Sequence, residues 1–161
     1  MCAGAGQCWA PKPVRPLCQA ILIHEDTYAY AAVNVANGVL DTLVLPHVNT
    51  DCMQVFLDEV AQRHRHKHIL LVLDGAGWHR NHTLVVPPNM YLPPLSPCAP
   101  ERNPVDHLWD EIREKHFHNR VFDSYDALEE QLVTALRVTE NAIERVRSII
   151  AWCWIIDALM K

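Results

Sequence analysis

A chain of 161 residues, half of them hydrophobic and a fifth charged, has the size and balance of one soluble domain, which excludes disordered, fibrous and membrane-spanning classes. Its formal charge of −5 argues against coating nucleic acid over the whole surface and favours local contacts, or an affinity carried by a partner domain. Six cysteines without a Cys-x-x-Cys pair give neither a zinc knuckle nor a disulfide framework, so reduced thiols are expected.

The longest apolar stretch, 148–156, is far short of the roughly 20 residues that a spanning helix needs, and residues 1–8 show no basic run followed by an apolar segment. A cytoplasmic protein with no membrane partner is the expectation.

In chain order, residues 1–16 carry prolines and no periodic apolar pattern, and read as an extended lead-in. Three β-rich runs follow at 17–23, 27–35 and 39–45, separated by His-Glu-Asp and Ala-Asn-Gly turn signals, which predicts an antiparallel meander. Thr50 is placed to cap a helix in which Met53, Phe56, Leu57 and Val60 recur at helical spacing, ending in the basic tract 63–67. Residues 69–73 are a continuous apolar run, the pattern of a strand buried on both faces, with Asp74 at its carboxyl end. Proline-rich sequence from 75 to 98 leaves room for one short strand near 90–92.

Asn103-Pro104 then begins a helix with Asn as N-cap, Pro in the first turn, and Val105, Leu108, Trp109 and Ile112 as one apolar stripe. Ser124 caps another helix, turning Leu128, Leu132, Val133 and Leu136 inward, and an apolar helical segment runs over 142–159. In that tail, Trp152, Cys153 and Trp154 suit the core better than a partner surface. The order of elements points to an α/β fold, a mixed sheet covered by helices.

Two acids have addresses suited to chemistry. Asp74 leaves the carboxyl edge of a central strand, where open α/β sheets bind their ligands, although it can equally hydrogen-bond its own turn. Asp106 sits three residues after the Asn103 cap, on the edge of the apolar stripe, although an acid there also satisfies orphan amides and the helix dipole. Together the two carboxylates offer hard oxygen ligands of the kind that magnesium or manganese takes, and two such ions can activate water or a 3′-hydroxyl at a phosphodiester.

The strings ILLVLDGAGWH (69–79), LPPLSP (92–97) and NPVDHLW (103–109) resemble the second and third acidic motifs of DDE transposases of the bacterial insertion-sequence, mariner-like superfamily. WAPK (9–12) with Arg15-Pro16, and NRVFDS (119–124), resemble flanking stretches of that family, so the resemblance covers nearly the whole chain. It implies a ribonuclease H-like catalytic domain over 17–161, with Asp74 and Asp106 as catalytic metal ligands for a pair of Mg2+ or Mn2+ ions. It also implies that His79 stands near the scissile phosphate or a metal-bound water. The implied partner is DNA, both transposon ends and target, with a separate helix-turn-helix part encoded upstream and a homodimer as further expectations.

This sequence departs from the family pattern in three ways. The family's first aspartate lies on a strand ahead of the Trp-Ala-Pro segment, while residues 1–8 contain no acid, so the first strand is expected to be missing and the isolated chain to be inactive. The two acids are 32 positions apart, with the link to Asn103 longer and the stretch before Leu92 shorter than is usual. The last acid is aspartate where most of this branch carries glutamate. Substitution for the first acid by Glu25, Asp26 or Asp41 is not expected, because a metal site tolerates little misplacement.

Basic residues Arg63, Arg65 and Lys67 are candidate phosphate contacts, against the alternative of a solvated helix end. His64, His66 and His68 do not make a zinc clip, since helix-to-loop geometry points them apart. Gly75-Ala-Gly77 is not a dinucleotide loop, because Arg80 stands where the third glycine belongs. Beside the catalytic portion of a transposase, expected to be inactive as an isolated chain, two readings stay open: a non-catalytic remnant of a transposase, and a small Mg-dependent phosphohydrolase built on Asp74 alone.

Overall fold

The computed structural model describes residues 26–73, 84–93, 103–118 and 120–150. The lead-in and the first β-rich run, 17–23, lie outside the described residues, so the expected meander is visible as a hairpin. Its strands are β1 (Tyr28–Val33) and β2 (Leu40–Leu45), antiparallel, with Tyr28 opposite Leu45 and Val33 opposite Leu40.

The turn is built by asparagines. Asn34 Oδ1 accepts the Ala36 amide and Asn37 Oδ1 the Val39 amide, each at 3.0 Å, while Gly38 takes φ 76°, the left-handed region that favours glycine. The tip also packs tightly, since a Cβ on Gly38 would lie 2.7 Å from the Ile143 carbonyl oxygen and 2.9 Å from Arg147 Cβ.

Period-two alternation then divides the hairpin between two layers. Tyr28, Tyr30, Ala32, Leu43 and Leu45 face α1 (Thr50–Arg63), meeting Met53, Phe56, Leu57 and Val60 in one core. Ala29, Ala31, Val33, Leu40 and Val44 face the opposite way, onto α2 (Pro104–Ile112), α3 (Tyr125–Asn141) and α4 (Ile143–Ile150). The N-cap of α1 is Asn49, whose side chain accepts the Cys52 amide at 2.8 Å, and not Thr50, which is the first helical residue. Both types cap well, and asparagine one residue earlier takes the position with extended backbone.

Strand β3 (Ile69–Leu70) pairs in parallel with β4 (Met90–Tyr91), and the Leu71 amide extends the ladder to the Tyr91 carbonyl at 3.0 Å. Burial here is one-sided. Ile69, Leu71 and Leu73 pack into the α1 core, whereas Leu70, Val72 and Tyr91 are 64%, 55% and 62% exposed. The apolar run expected to be buried on both faces is therefore covered on one, because α1 lies against that side and no described helix packs on the other. Asn89 joins this unit to α1: its Nδ2 donates to the carbonyls of Ala61 in the last turn, of the C-cap His64 and of Lys67 in the turn beyond, at 3.1–3.3 Å.

One irregularity has no sequence signal. Helix α2 runs on into a π-helical turn, Arg113–Phe117, which places Phe117 against Ile112 and Leu132 and 5.9 Å from the Phe122 ring. Gln131 Nε2 donates to the His116 carbonyl at 3.3 Å, supplying a partner for an acceptor at the end of the turn. Ser124 caps α3 as expected, accepting the Ala127 amide at 3.1 Å. Among the described residues no helix is long and apolar enough to cross a membrane.

Gly38 concentrates two constraints, a positive φ and a Cβ-excluding contact. Gly38→Ala is expected to destabilise the fold by about 2–4 kcal/mol, more than the left-handed backbone cost alone, as a fall in urea midpoint at unchanged slope.

Candidate active site

The site is best built from Asp106. Asn103 has extended backbone at φ −89° and ψ 102°, as a residue before proline prefers, and its Oδ1 accepts the Val105 amide at 3.1 Å. Pro104 follows in the first turn, where its missing N–H leaves no orphan donor. Asp106 is then exposed in that turn, its Oδ1 accepting from Asn103 Nδ2 at 3.3 Å. Beneath it α2 is anchored by Leu108 and Ile112, each 1% exposed: Leu108 against Leu40, Val146 and Ile150, Ile112 against Leu132, Ala135 and Leu136. Position along the helix is thus set by apolar packing, and the carboxylate is held at the surface.

A cluster of charges ties α2 to α4. Arg145 donates from Nε and Nη2 to Glu111 Oε1 at 2.9 and 2.7 Å, and Lys115 pairs with the same oxygen. Hydrogen bonds from Lys115 and Arg145 hold the Glu111 carboxyl below its ordinary range, against a smaller opposing effect of burial.

Asp74 and His79 lie outside the described residues, which end at Leu73 on that side and resume at Leu84. Asp106 has the exposed hard-oxygen donor that Mg2+ or Mn2+ takes, so its chemistry fits such an ion. Among the described residues, no three His, Cys, Asp or Glu side chains gather closely enough to hold a metal.

Asp41, weighed as a stand-in for the first acid, is engaged elsewhere. Its Oδ2 lies 2.7 Å from His64 Nε2 and its Oδ1 3.5 Å from Arg63 Nη1. Arg63 also binds Glu59 at 2.9 Å and lies 4.0 Å from Glu140. Burial works against the Arg63 charge, but Glu59 and Asp41 outweigh it and raise the pKa. Of the three basic candidates, Arg63 is therefore enclosed by carboxylates. Arg65 is exposed with its Nε 3.1 Å from His66 Nε2, and Lys67 is exposed at the turn after α1.

Sequence reasoning missed two polar clasps. One is the bond from Asn103 to Asp106. The other is Gln54, whose Oε1 accepts the Val85 amide and whose Nε2 donates to the Val85 carbonyl, both at 2.8 Å, beside a shallow cavity of ≈ 400 Å³ that Asp51 and Asp58 also line. A lone glutamine on the outer face of an amphipathic helix carries no signal for this. Asn103 was recognisable as a cap, but its second bond depends on side-chain geometry.

The sequence profile of DDE superfamily endonucleases matches residues 5–129. A protein of Sinorhizobium fredii, "Uncharacterized protein y4pE/y4sA", is 40% identical over 100 residues, which is 62% of this chain and 74% of that protein. Among solved structures, the fold is similar to a Mos1 transposase paired-end complex with left transposon end, at TM-score 0.57 and 20% identity over 95% of this chain and 50% of that one. The Mos1 strand transfer complex gives the same TM-score at 18% identity, over 91% and 48% of the two chains. At such identities the likeness is one of fold, a mixed α/β, ribonuclease H-like domain, and the chain spans about half the length of the Mos1 chains.

If Glu111 contributes through its two cations, Glu111→Gln should cost about 0.5–1 kcal/mol at pH 7, the scale of partly exposed pairs. A carboxyl with a lowered folded pKa stabilises above the unfolded value and loses that effect as pH falls through the folded one. The difference between variant and wild type in urea melts should therefore shrink towards zero below the ordinary Glu range.

Proposed function

Because this chain belongs to the DDE superfamily endonucleases, we propose that it is the catalytic-domain portion of a DNA transposase, cleaving phosphodiester bonds and joining DNA strands with the help of divalent cations. The observation that carries this reading is the Asn-Pro-Val-Asp start of α2, where an exposed carboxylate rides on a helix fixed by buried Leu108 and Ile112, within a chain whose residues 5–129 match the family. The phosphohydrolase reading leaves that motif unexplained.

In this proposal Asp74 and Asp106 are the carboxylates that hold Mg2+ or Mn2+. When bound, a pair of such ions supplies an activated water or 3′-hydroxyl and stabilises the leaving oxygen. Asp106 contributes a ligand whose backbone position is set before binding. His79 is assigned to the reacting phosphate or its attacking water, as a group able to hold or move a proton.

DNA is the proposed partner, supported by the Mos1 structures, one of which holds a left transposon end. Arg65 and Lys67 are proposed to contact phosphates, with Arg63 a weaker contributor because Glu59 and Asp41 already balance its charge. With a net charge of −5, most of the affinity for DNA falls to a helix-turn-helix part outside these residues, and a homodimer would bring two ends together.

Calorimetric titration with Mn2+ tests the metal assignment. Asp74→Asn and Asp106→Asn should each abolish the binding seen in wild type, and unaltered binding would remove the substituted residue from the site. A second outcome concerns the first acid. Residues 1–24 contain no Asp or Glu and Asp41 is engaged by His64 and Arg63, so these 161 residues alone are expected not to nick terminal-repeat DNA. Robust nicking by the purified chain would show that another acid completes the site.

A further inference from the structure

We propose that Asn103 is a positioning residue for Asp106, aiming its carboxylate for a divalent cation as well as capping α2; this rests on the metal-ligand reading of Asp106 above. The Asn103 carboxamide is used at both of its polar atoms. Its Oδ1 accepts the Val105 amide at 3.1 Å, which is the capping bond, and its Nδ2 donates to Asp106 Oδ1 at 3.3 Å. A cap requires only the acceptor, and serine, threonine or aspartate supplies that about as well as asparagine. The second bond requires an N–H donor on the same side chain, and among the strong capping residues asparagine alone carries an amide acceptor and an amide donor in one plane.

The neighbouring backbone makes the arrangement rigid. Pro104 fixes φ in the first helical residue and confines Asn103 to extended geometry, where it is found. Leu108 and Ile112 fix the helix below. Between these two restraints, the Asn103 Nδ2 meets a carboxylate only three positions away, in a long hydrogen bond of 3.3 Å to a charged acceptor, just beyond the usual span of roughly 2.7–3.2 Å. An exposed aspartate ordinarily gives up rotamer freedom when it takes a cation. One already oriented gives up less, and a hydrogen-bonded outer partner also fixes which oxygen is presented.

The test separates orientation from capping. The wild-type 161-residue chain, Asn103→Ser, Asn103→Gly and Asp106→Asn are titrated with Mn2+ by calorimetry and melted in parallel. Serine and glycine keep α2 capped or nearly so but lack the amide donor. Both should bind Mn2+ about tenfold more weakly, the scale of a lost outer-shell partner, with a Tm within a few degrees of wild type, while Asp106→Asn loses binding. Wild-type Mn2+ affinity in both Asn103 variants, alongside loss in Asp106→Asn, overturns the positioning role and leaves the metal assignment standing. Unchanged affinity in Asp106→Asn overturns both. Weakening that comes only with a large fall in Tm in both variants assigns Asn103 to capping alone and also overturns the proposal; if the glycine variant fails to fold, the serine variant decides.

Discussion

Burial of the β1–β2 hairpin on both faces is the constraint from which the rest of the arrangement follows. Six residues per strand, alternating in direction, give α1 one apolar surface and α2, α3 and α4 another. Shifting the register of either strand by one residue would exchange these two sets and leave both helical layers facing the wrong side chains. Asp106 inherits its position from this: α2 rests on the second face through Leu108, packed with Leu40 and flanked by Ala31 and Val33. The side chain proposed as a ligand is exposed, yet its address is dictated by the core.

Charge is distributed so that basic residues near the sheet are largely satisfied within the chain. Asp41, Glu59 and Glu140 surround Arg63, and Glu111 receives both Arg145 and Lys115. Glu140 also accepts the backbone amide and the hydroxyl of Thr42, so one carboxylate joins α3 to β2 while it faces the end of α1. These contacts use charge to lock elements together rather than to project a field. That agrees with the net-acidic charge of the chain as a whole.

Much of the fold is legible where periodicity and caps coincide. Asn103-Pro104 with Leu108 and Ile112 marks α2 without ambiguity, and Ser124 does the same for α3. The hairpin follows from two β-rich runs around an Asn-Gly turn. Legibility fails where tertiary contact decides. Residues 69–73 read as a fully buried strand because hydrophobicity reports what could be buried, not whether a second layer packs there, and among the described residues none does. Choosing Thr50 over Asn49 as a cap is a one-residue question that composition does not resolve. The π-helical turn has no residue pattern at all. For the candidate site, the motif identified Asp106 and its cap, whereas the Asn103–Asp106 bond and the enclosure of Asp41 depend on distances across space.

The hairpin tip carries a consequence for how the chain is assembled. Gly38 fits against the backbone of Ile143, Thr42 bonds to Glu140 across 98 positions, and Thr27 bonds to Glu129 across 102. During synthesis the strands and α1 emerge long before the helices that close over the second sheet face, leaving Ala29, Ala31, Val33, Leu40 and Val44 bare in the interval. Contacts that close over such long loops form slowly, so the second sheet face is the last part of the hairpin to be covered as the chain folds.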